Sequence, residues 1–318
     1  MNNQNIRAVA VGAANIDVNG FPGQPLVMRD SNPGHIRTCP GGVARNIAEN
    51  LARLGVPVAL ITALGDDAGG ASLRASCREL GIRLDRSVEV PGHPSSTYMA
   101  IMDEEGDMAL GLSDMRILDH VTPEHLESCA PLLSEADVVA ADACLTTETL
   151  ERLVNGPCAK VFIDPVSIGK CRRMERLLGR FYCVKMNRME AAYLAGMTIE
   201  TGGDLDETAR RMLASGVKKL YITLGAEGVF FAEEGNSGRV PAIPLLPVNA
   251  TGAGDAFTAA AVYGELHGWT MERTARFAVK ASALTLLSRD TVSERMSMAA
   301  VEAVGGAALP GDKGERFS

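Results

Sequence analysis

GGVARNIAENLARLGVPVALITA, residues 41–63, reads as a helix that stops and a strand that starts. Val43, Ile47, Leu51 and Leu54 recur at i, i+4, i+8 and i+11, the spacing of one buried helix face, and Gly55 follows as a stop. The run VALITA (58–63) then lacks polar/apolar alternation, as a strand covered on both faces does. The same rhythm extends both ways. Upstream, RAVAVGAA (7–14) is another such run. Downstream, strands are predicted at 137–141, 160–164, 182–186, 219–223 and 228–232. Helices are predicted over 67–80, 123–133, 187–195, 204–215, 255–267 and 270–287. Strands alternating with helices predict βαβ units around one central, mainly parallel sheet, the α/β class.

Two stretches break the rhythm. Residues 15–39 are rich in Gly, Pro, Asn and Asp, and residues 95–114 read as a hairpin turning at Asp103–Gly106. Together they suit a small appended β-sheet, either a lid over a cleft or an ordinary surface hairpin.

Bulk properties narrow the function. The chain has 318 residues, 46% apolar and 22% charged, with net charge −8. That is a globular composition. No Lys/Arg run is long enough to track a phosphate backbone, so nucleic acid is not an expected partner. No apolar run approaches the ~20 residues of a membrane helix, so no membrane partner is expected either. The seven cysteines include no C-x-x-C pair, which suits reduced thiols in a cytoplasm. The opening MNNQNIRAVAVG lacks the basic and apolar regions of a leader. The tail GGAALPGDKGERFS is expected to be loosely ordered. The run KCRRMER (170–176) reads as a solvated helix face, with contact to a phosphate as the alternative.

Five motifs carry candidate chemistry. In NATGAGDAF (249–257), Gly252 and Gly254 flank Ala253 directly before a helical pattern. Glycines there let the backbone approach a ligand, and the helix start points N–H groups and positive dipole at an anion. Asp255 at that point is either an N-cap or a general base for a hydroxyl attacking a phosphoryl group. Gly41 and Gly42 open the helix 43–54 and form either a simple turn or a polyol contact, with Asn46 one turn further in. Asn15 and Asp17 follow the first strand, where ligands of open α/β sheets bind; a loop Asx-turn is the alternative. Asn187 and Glu190, in KMNRME (185–190), suit a capping pair or a site near phosphates and Mg²⁺. TLGAEG (223–228) is a hairpin loop whose backbone also suits a nucleotide pocket.

Taken together these residues resemble the PfkB family of carbohydrate and nucleoside kinases, which includes ribokinase. Residues 41–55 look like its N-terminal signature and 249–257 like its C-terminal one. The likeness runs over about residues 7–305. It implies a ribokinase-like fold, a doubly wound α/β/α sandwich with a small β-sheet lid. It implies one kinase domain over 1–318, with lid segments 15–39 and 95–114 inserted. By resemblance Asp255 is the base, and the N–H groups of Gly252, Ala253 and Gly254 form the anion hole. Asn15, Asp17, Gly41, Gly42 and Asn46 hold the acceptor, while Asn187, Thr223, Gly225 and Gly228 line the ATP site. Glu190 acts on Mg²⁺ through water, and Val279 and Ser282 flank adenine. A homodimer through the lid is implied. Many members carry Asp where this chain has Asn249, and there it helps bind a monovalent cation such as K⁺. Asn249 has no charge to offer, although Thr251 could add its carbonyl.

The stretches 14–18, 30–36, 40–48, 164–167 and 185–191 are similar to the family's pseudouridine-phosphorylating members. On that likeness Ser31 and Asn32 face a uracil ring. Ribose, another nucleoside or a keto-sugar acid are the other acceptors implied, and a catalytically silent ligand-binding relative is the reading outside enzymes.

Overall fold

The computed structural model describes residues 5–105, 107–249 and 251–305. The Gly-rich tail therefore lies outside the described residues, apart from its first residue. An eight-stranded sheet forms the centre. Its spatial order is Asn236–Val240, Val229–Glu233, Lys219–Thr223, Cys183–Asn187, Val161–Asp164, Val138–Asp142, Ala8–Val11 and Val58–Ile61. The last six of these are mutually parallel, and the hairpin strands Val229–Glu233 and Asn236–Val240 run antiparallel at one edge.

The lack of alternation has a direct physical meaning here. Along Ala8–Val11, residues 8 and 10 enter one core while 9 and 11 enter the other. Helices Val43–Arg53, Ala253–Leu266 and Met271–Leu286 cover the first face. Helices Pro123–Ser128, Ala130–Glu135, Thr147–Val154 and Gly202–Ser215 cover the second. The result is the expected α/β/α sandwich.

Two of the differences from the sequence reading concern predicted helices. The helix predicted over 123–133 is two helices, because Pro131 sits in the first turn of the second and cannot continue the first. The run 170–176 is a solvated face only in part: Arg172, Glu175 and Arg176 are exposed, and the helix ends at Cys171. Cys171 and Met174 are buried, and an Arg173 guanidinium N–H donates to the Leu145 carbonyl at 3.1 Å.

The second sheet has four strands in the order Gly34–Gly41, Asn15–Pro22, Thr97–Met102 and Met108–Asp114. It is built from the two segments that broke the helix–strand rhythm. Its pairing is antiparallel except between Asn15–Pro22 and Thr97–Met102, which run parallel. The register places Asp17, Asn19, Arg37 and Cys39 on one face, and Val18, Gly20, Ile36, Met99, Ile101, Leu110 and Leu112 on the other.

Candidate active site

The helix Ala253–Leu266 begins at Gly252, whose φ of 85° lies in the left-handed region. The Thr291 carbonyl oxygen stands 1.8 Å from where a Cβ on Gly252 would sit, so only glycine can make this turn. No side chain caps the helix start, which leaves its first N–H groups without a side-chain acceptor. Asp255 is the third residue of the helix and not its N-cap. Its Oδ2 accepts a 2.7 Å hydrogen bond from the Asn46 side-chain amide. Burial, then the nearby Asp164 carboxylate, push its pKa up to about 7, against the pull of Asn46 and Lys185. A carboxylate that titrates near neutrality is suited to take up and release a proton there.

Asp164 and Lys185 complete this end, and neither was assigned a role from sequence. Lys185 Nζ lies 3.0 Å from Asp164 Oδ2, and both side chains are buried. Thr258 Oγ donates to the same carboxylate oxygen at 3.1 Å. Burial disfavours the Lys185 charge, but the Asp164 carboxylate outweighs it and holds the pKa above the ordinary lysine value. A Cβ on Gly254 would meet Lys185 Nζ at 2.7 Å, so the ammonium stands against the glycine turn itself. A buried cation beside an uncapped helix start is a place for anionic oxygen.

On the opposite side, Asp17 Oδ1 accepts from Asn15 Nδ2 at 2.6 Å. Burial raises the pKa of Asp17, and the Asn15 hydrogen bond works against that rise. A Cβ on Gly41 would sit 2.2 Å from the Asp17 carboxylate, and one on Gly42 (φ 98°) would strike the Ala13 carbonyl at 2.5 Å. Both glycines are required by close approach. A third unassigned residue holds them in place. Asp142 is buried at the end of strand Val138–Asp142 and accepts N–H bonds from Ala13 (2.8 Å), Ala44 (3.0 Å) and Cys144 (2.9 Å). It ties the exit of the first strand to the start of helix Val43–Arg53. Asn15, Asp17, Gly41, Gly42 and Asn46 thus gather at one end of the central sheet, with Asn46 touching Asp255.

Asn187 and Glu190 form the capping pair that their spacing allowed. The Asn187 side chain accepts from the Glu190 N–H at 2.9 Å, and Glu190 Oε2 accepts from the Asn187 N–H at 2.8 Å. Glu190 is buried, and burial followed by the Asp164 charge raises its pKa. Thr223 ends the neighbouring strand, and Gly225 and Gly228 bound the short turn beyond it, both at positive φ. Val279 and Ser282 lie on helix Met271–Leu286, where the Ser282 hydroxyl donates to the Ala253 carbonyl at 2.8 Å. Thr251 is exposed, and its N–H donates to Asn249 Oδ1 at 2.9 Å.

Ser31 is exposed on the loop joining strands Asn15–Pro22 and Gly34–Gly41. Asn32 is folded into that loop. Its Oδ1 accepts from Val27 N–H, and its Nδ2 donates to the carbonyls of Val27 and Asp30. Its amide is therefore committed to the loop.

Comparison with known proteins bears on this geometry. Residues 5–296 match the pfkB family carbohydrate kinase. The chain is 35% identical over 295 residues to the pseudouridine kinase of Escherichia coli strain K12, spanning 92% of this chain and 94% of that one. Ribokinase of Thermotoga maritima superposes with a TM-score of 0.83 at 21% identity, covering 94% of this chain and 98% of that one. Arabidopsis thaliana ribokinase complexed with ribose and ATP gives 0.79 at 22% identity, with the same coverage. These last two likenesses concern the fold.

Proposed function

The chain belongs to the pfkB family of carbohydrate kinases, and from that premise we propose that it transfers the γ-phosphoryl group of ATP to the 5′-hydroxyl of pseudouridine. The observation that carries this reading is the meeting of the Asp255 carboxylate, the Lys185 ammonium and the uncapped glycine turn at one point. Asp255 takes the proton of the hydroxyl as its oxygen bonds to the γ-phosphorus. The bond from that phosphorus to the β,γ-bridging oxygen breaks, and ADP leaves with the electron pair. The N–H groups of Gly252, Ala253 and Gly254, with Lys185, receive the charge on the phosphoryl oxygens in transit. Asp17 accepts hydroxyls of the sugar, helped by Asn15, Asn46 and the backbone of Gly41 and Gly42.

ATP lies along Asn187, Thr223, Gly225 and Gly228, with adenine near Val279 and Ser282. Mg²⁺ fits a site of this kind when phosphates and water supply most of its ligands. Among the described residues no three His, Cys, Asp or Glu side chains form a metal cage. Glu190, with one oxygen not engaged in the cap, suits contact through water. The ion would neutralise phosphate charge.

The lid forms the dimer contact in this reading. Ile36, Leu110 and Leu112 on its outer face are 73%, 62% and 67% exposed. That is an apolar face that a second copy would cover.

The likeness to the Escherichia coli pseudouridine kinase supports the acceptor. A panel of pseudouridine, uridine, guanosine, ribose and keto-sugar acids, assayed for kcat/KM with ATP, tests it. Pseudouridine should lead by at least about tenfold. A higher value for any other member replaces the acceptor and keeps the kinase. ATP turnover that is indifferent to every acceptor removes both.

A further inference from the structure

The loop 288–291 connects the lid to the glycine turn. On one side its Thr291 carbonyl packs where a side chain on Gly252 would go. Nearby, the Val248 N–H donates to the Leu286 carbonyl at 2.8 Å, which fixes the segment leading into the turn. The Asn249 side chain binds at both ends: Oδ1 accepts from Thr251 N–H at 2.9 Å, and Nδ2 donates to the Arg289 carbonyl at 3.3 Å. From the lid strand Gly34–Gly41, Arg37 donates to the same Arg289 carbonyl at 3.1 Å and pairs with the Asp290 carboxylate.

A monovalent cation does not fit this arrangement. Such an ion needs oxygens converging on it, and the Arg289 oxygen instead faces two N–H donors. One of them belongs to a guanidinium whose charge would repel the ion. Turning the Asn249 amide over does not help. The Thr251 N–H needs an acceptor, and the flipped amide would set its own NH₂ against it. An Asp at this position would present oxygen at both ends.

We propose that Arg37 and Asn249 replace a monovalent cation as the element that fixes the 288–291 loop, so that catalysis is independent of K⁺ and the glycine turn is coupled directly to the lid. Arg37 is a positioning residue. It acts through Arg289, Asp290 and Thr291 on Gly252 and touches no reacting atom. The inference rests on the kinase reading but not on the identity of the acceptor.

The test measures initial rates with whichever acceptor is turned over, in potassium chloride and in tetramethylammonium chloride at equal ionic strength. Melting temperatures without substrate are recorded in the same two salts. The wild-type rates should agree within about twofold, and the melting temperatures should coincide. A wild-type rate that rises by about tenfold or more with K⁺, or a melting temperature raised by K⁺ alone, overturns the proposal. In tetramethylammonium, Arg37→Ala should lower kcat by about tenfold, and Arg37→Lys should recover part of the loss. A kcat equal to wild type in Arg37→Ala removes Arg37 from this role. Asn249→Asp should create a response to K⁺ of about fivefold. If Arg37→Ala does not fold, the wild-type salt comparison and Asn249→Asp decide the matter. If no acceptor is turned over, the kinase reading has failed, and the melting comparison still decides the cation question.

Discussion

In the eight-stranded sheet Val9 is buried by one core and Ala10 by the other, so either direction leads inside. In the four-stranded sheet Asp17 and Asn19 point one way while Val18 and Gly20 point the other, alongside Met99 and Ile101. The usual sense of alternation is also reversed. The lid turns polar side chains, Asp17 among them, toward the rest of the molecule and leaves Ile36, Leu110 and Leu112 facing outward. The large sheet is thus a platform whose sequence encodes burial, and the small sheet is a surface whose sequence encodes contacts. On the proposed reading, the charges that serve phosphoryl transfer sit in the platform, where packing fixes them. On the same reading, recognition and assembly fall to the lid.

That division can be broken in order of expected effect. Asp255→Asn should lower kcat by roughly 10³-fold while ATP still binds, as titration of ATP into the variant would report. Near-normal turnover would mean that the platform does not hold the base. Lys185→Met should lower kcat/KM for ATP by about 10²-fold. A loss confined to the KM of the acceptor would move Lys185 to the lid's side of the division. Leu110→Glu with Leu112→Glu should dissociate the proposed dimer in sedimentation and lower kcat by no more than about tenfold, with the melting temperature of the platform kept. An unchanged sedimentation coefficient would leave the outer face without a partner copy.

The pH dependence probes the platform alone. As the proposed base, Asp255 would have to lose its proton to act, so kcat/KM should rise with pH and reach half its maximum near the raised pKa of about 7. Asp164→Asn removes a neighbouring negative charge and frees Lys185, and both changes favour the ionised Asp255. The half-rise should therefore move to lower pH by about one unit. A shift upward contradicts the assignment. Stability runs the other way. The folded state holds the Asp255 proton more tightly than the unfolded chain, so stability declines as pH rises from 3.8 through about 7. Asp255→Asn should accordingly melt higher than wild type at pH 8. The smallest effect belongs to the lid tip: Ser31→Ala should weaken pseudouridine by about threefold and leave ribose unchanged. Equal effects on both remove Ser31 from base recognition.

The platform was legible because its strands are short apolar runs without alternation. Those predicted at 58–63, 160–164 and 219–223 lie within two residues of the observed bounds. Asn236–Val240 was missed because this edge strand is mostly exposed and its sequence, NSGRV, is polar. Helix Thr147–Val154 was missed because eight residues give barely two turns of pattern. Its Thr146 cap, accepting from Thr149 N–H, was the available signal. In the site, the glycines and Asp255 stood out because their positions carry a motif. Asp142, Asp164 and Lys185 did not. Each lies in or at the end of an apolar strand run, where one charge reads as a boundary. Their partners are distant in sequence, as Thr258 is from Asp164, and no local pattern pairs them.

Asp142 has a mechanical consequence. Two of the four chain passages between the small sheet and the rest of the molecule, the one before Asn15 and the one after Gly41, are pinned side by side by this one buried carboxylate, which holds Ala13 N–H and Ala44 N–H. It acts as a fulcrum. An eight-residue strand reaches roughly 26 Å from such a point, so a slight rotation at the base becomes a wide sweep at the far end. Any tilt at this anchor would be carried outward along both strands as the motion of a stiff lever.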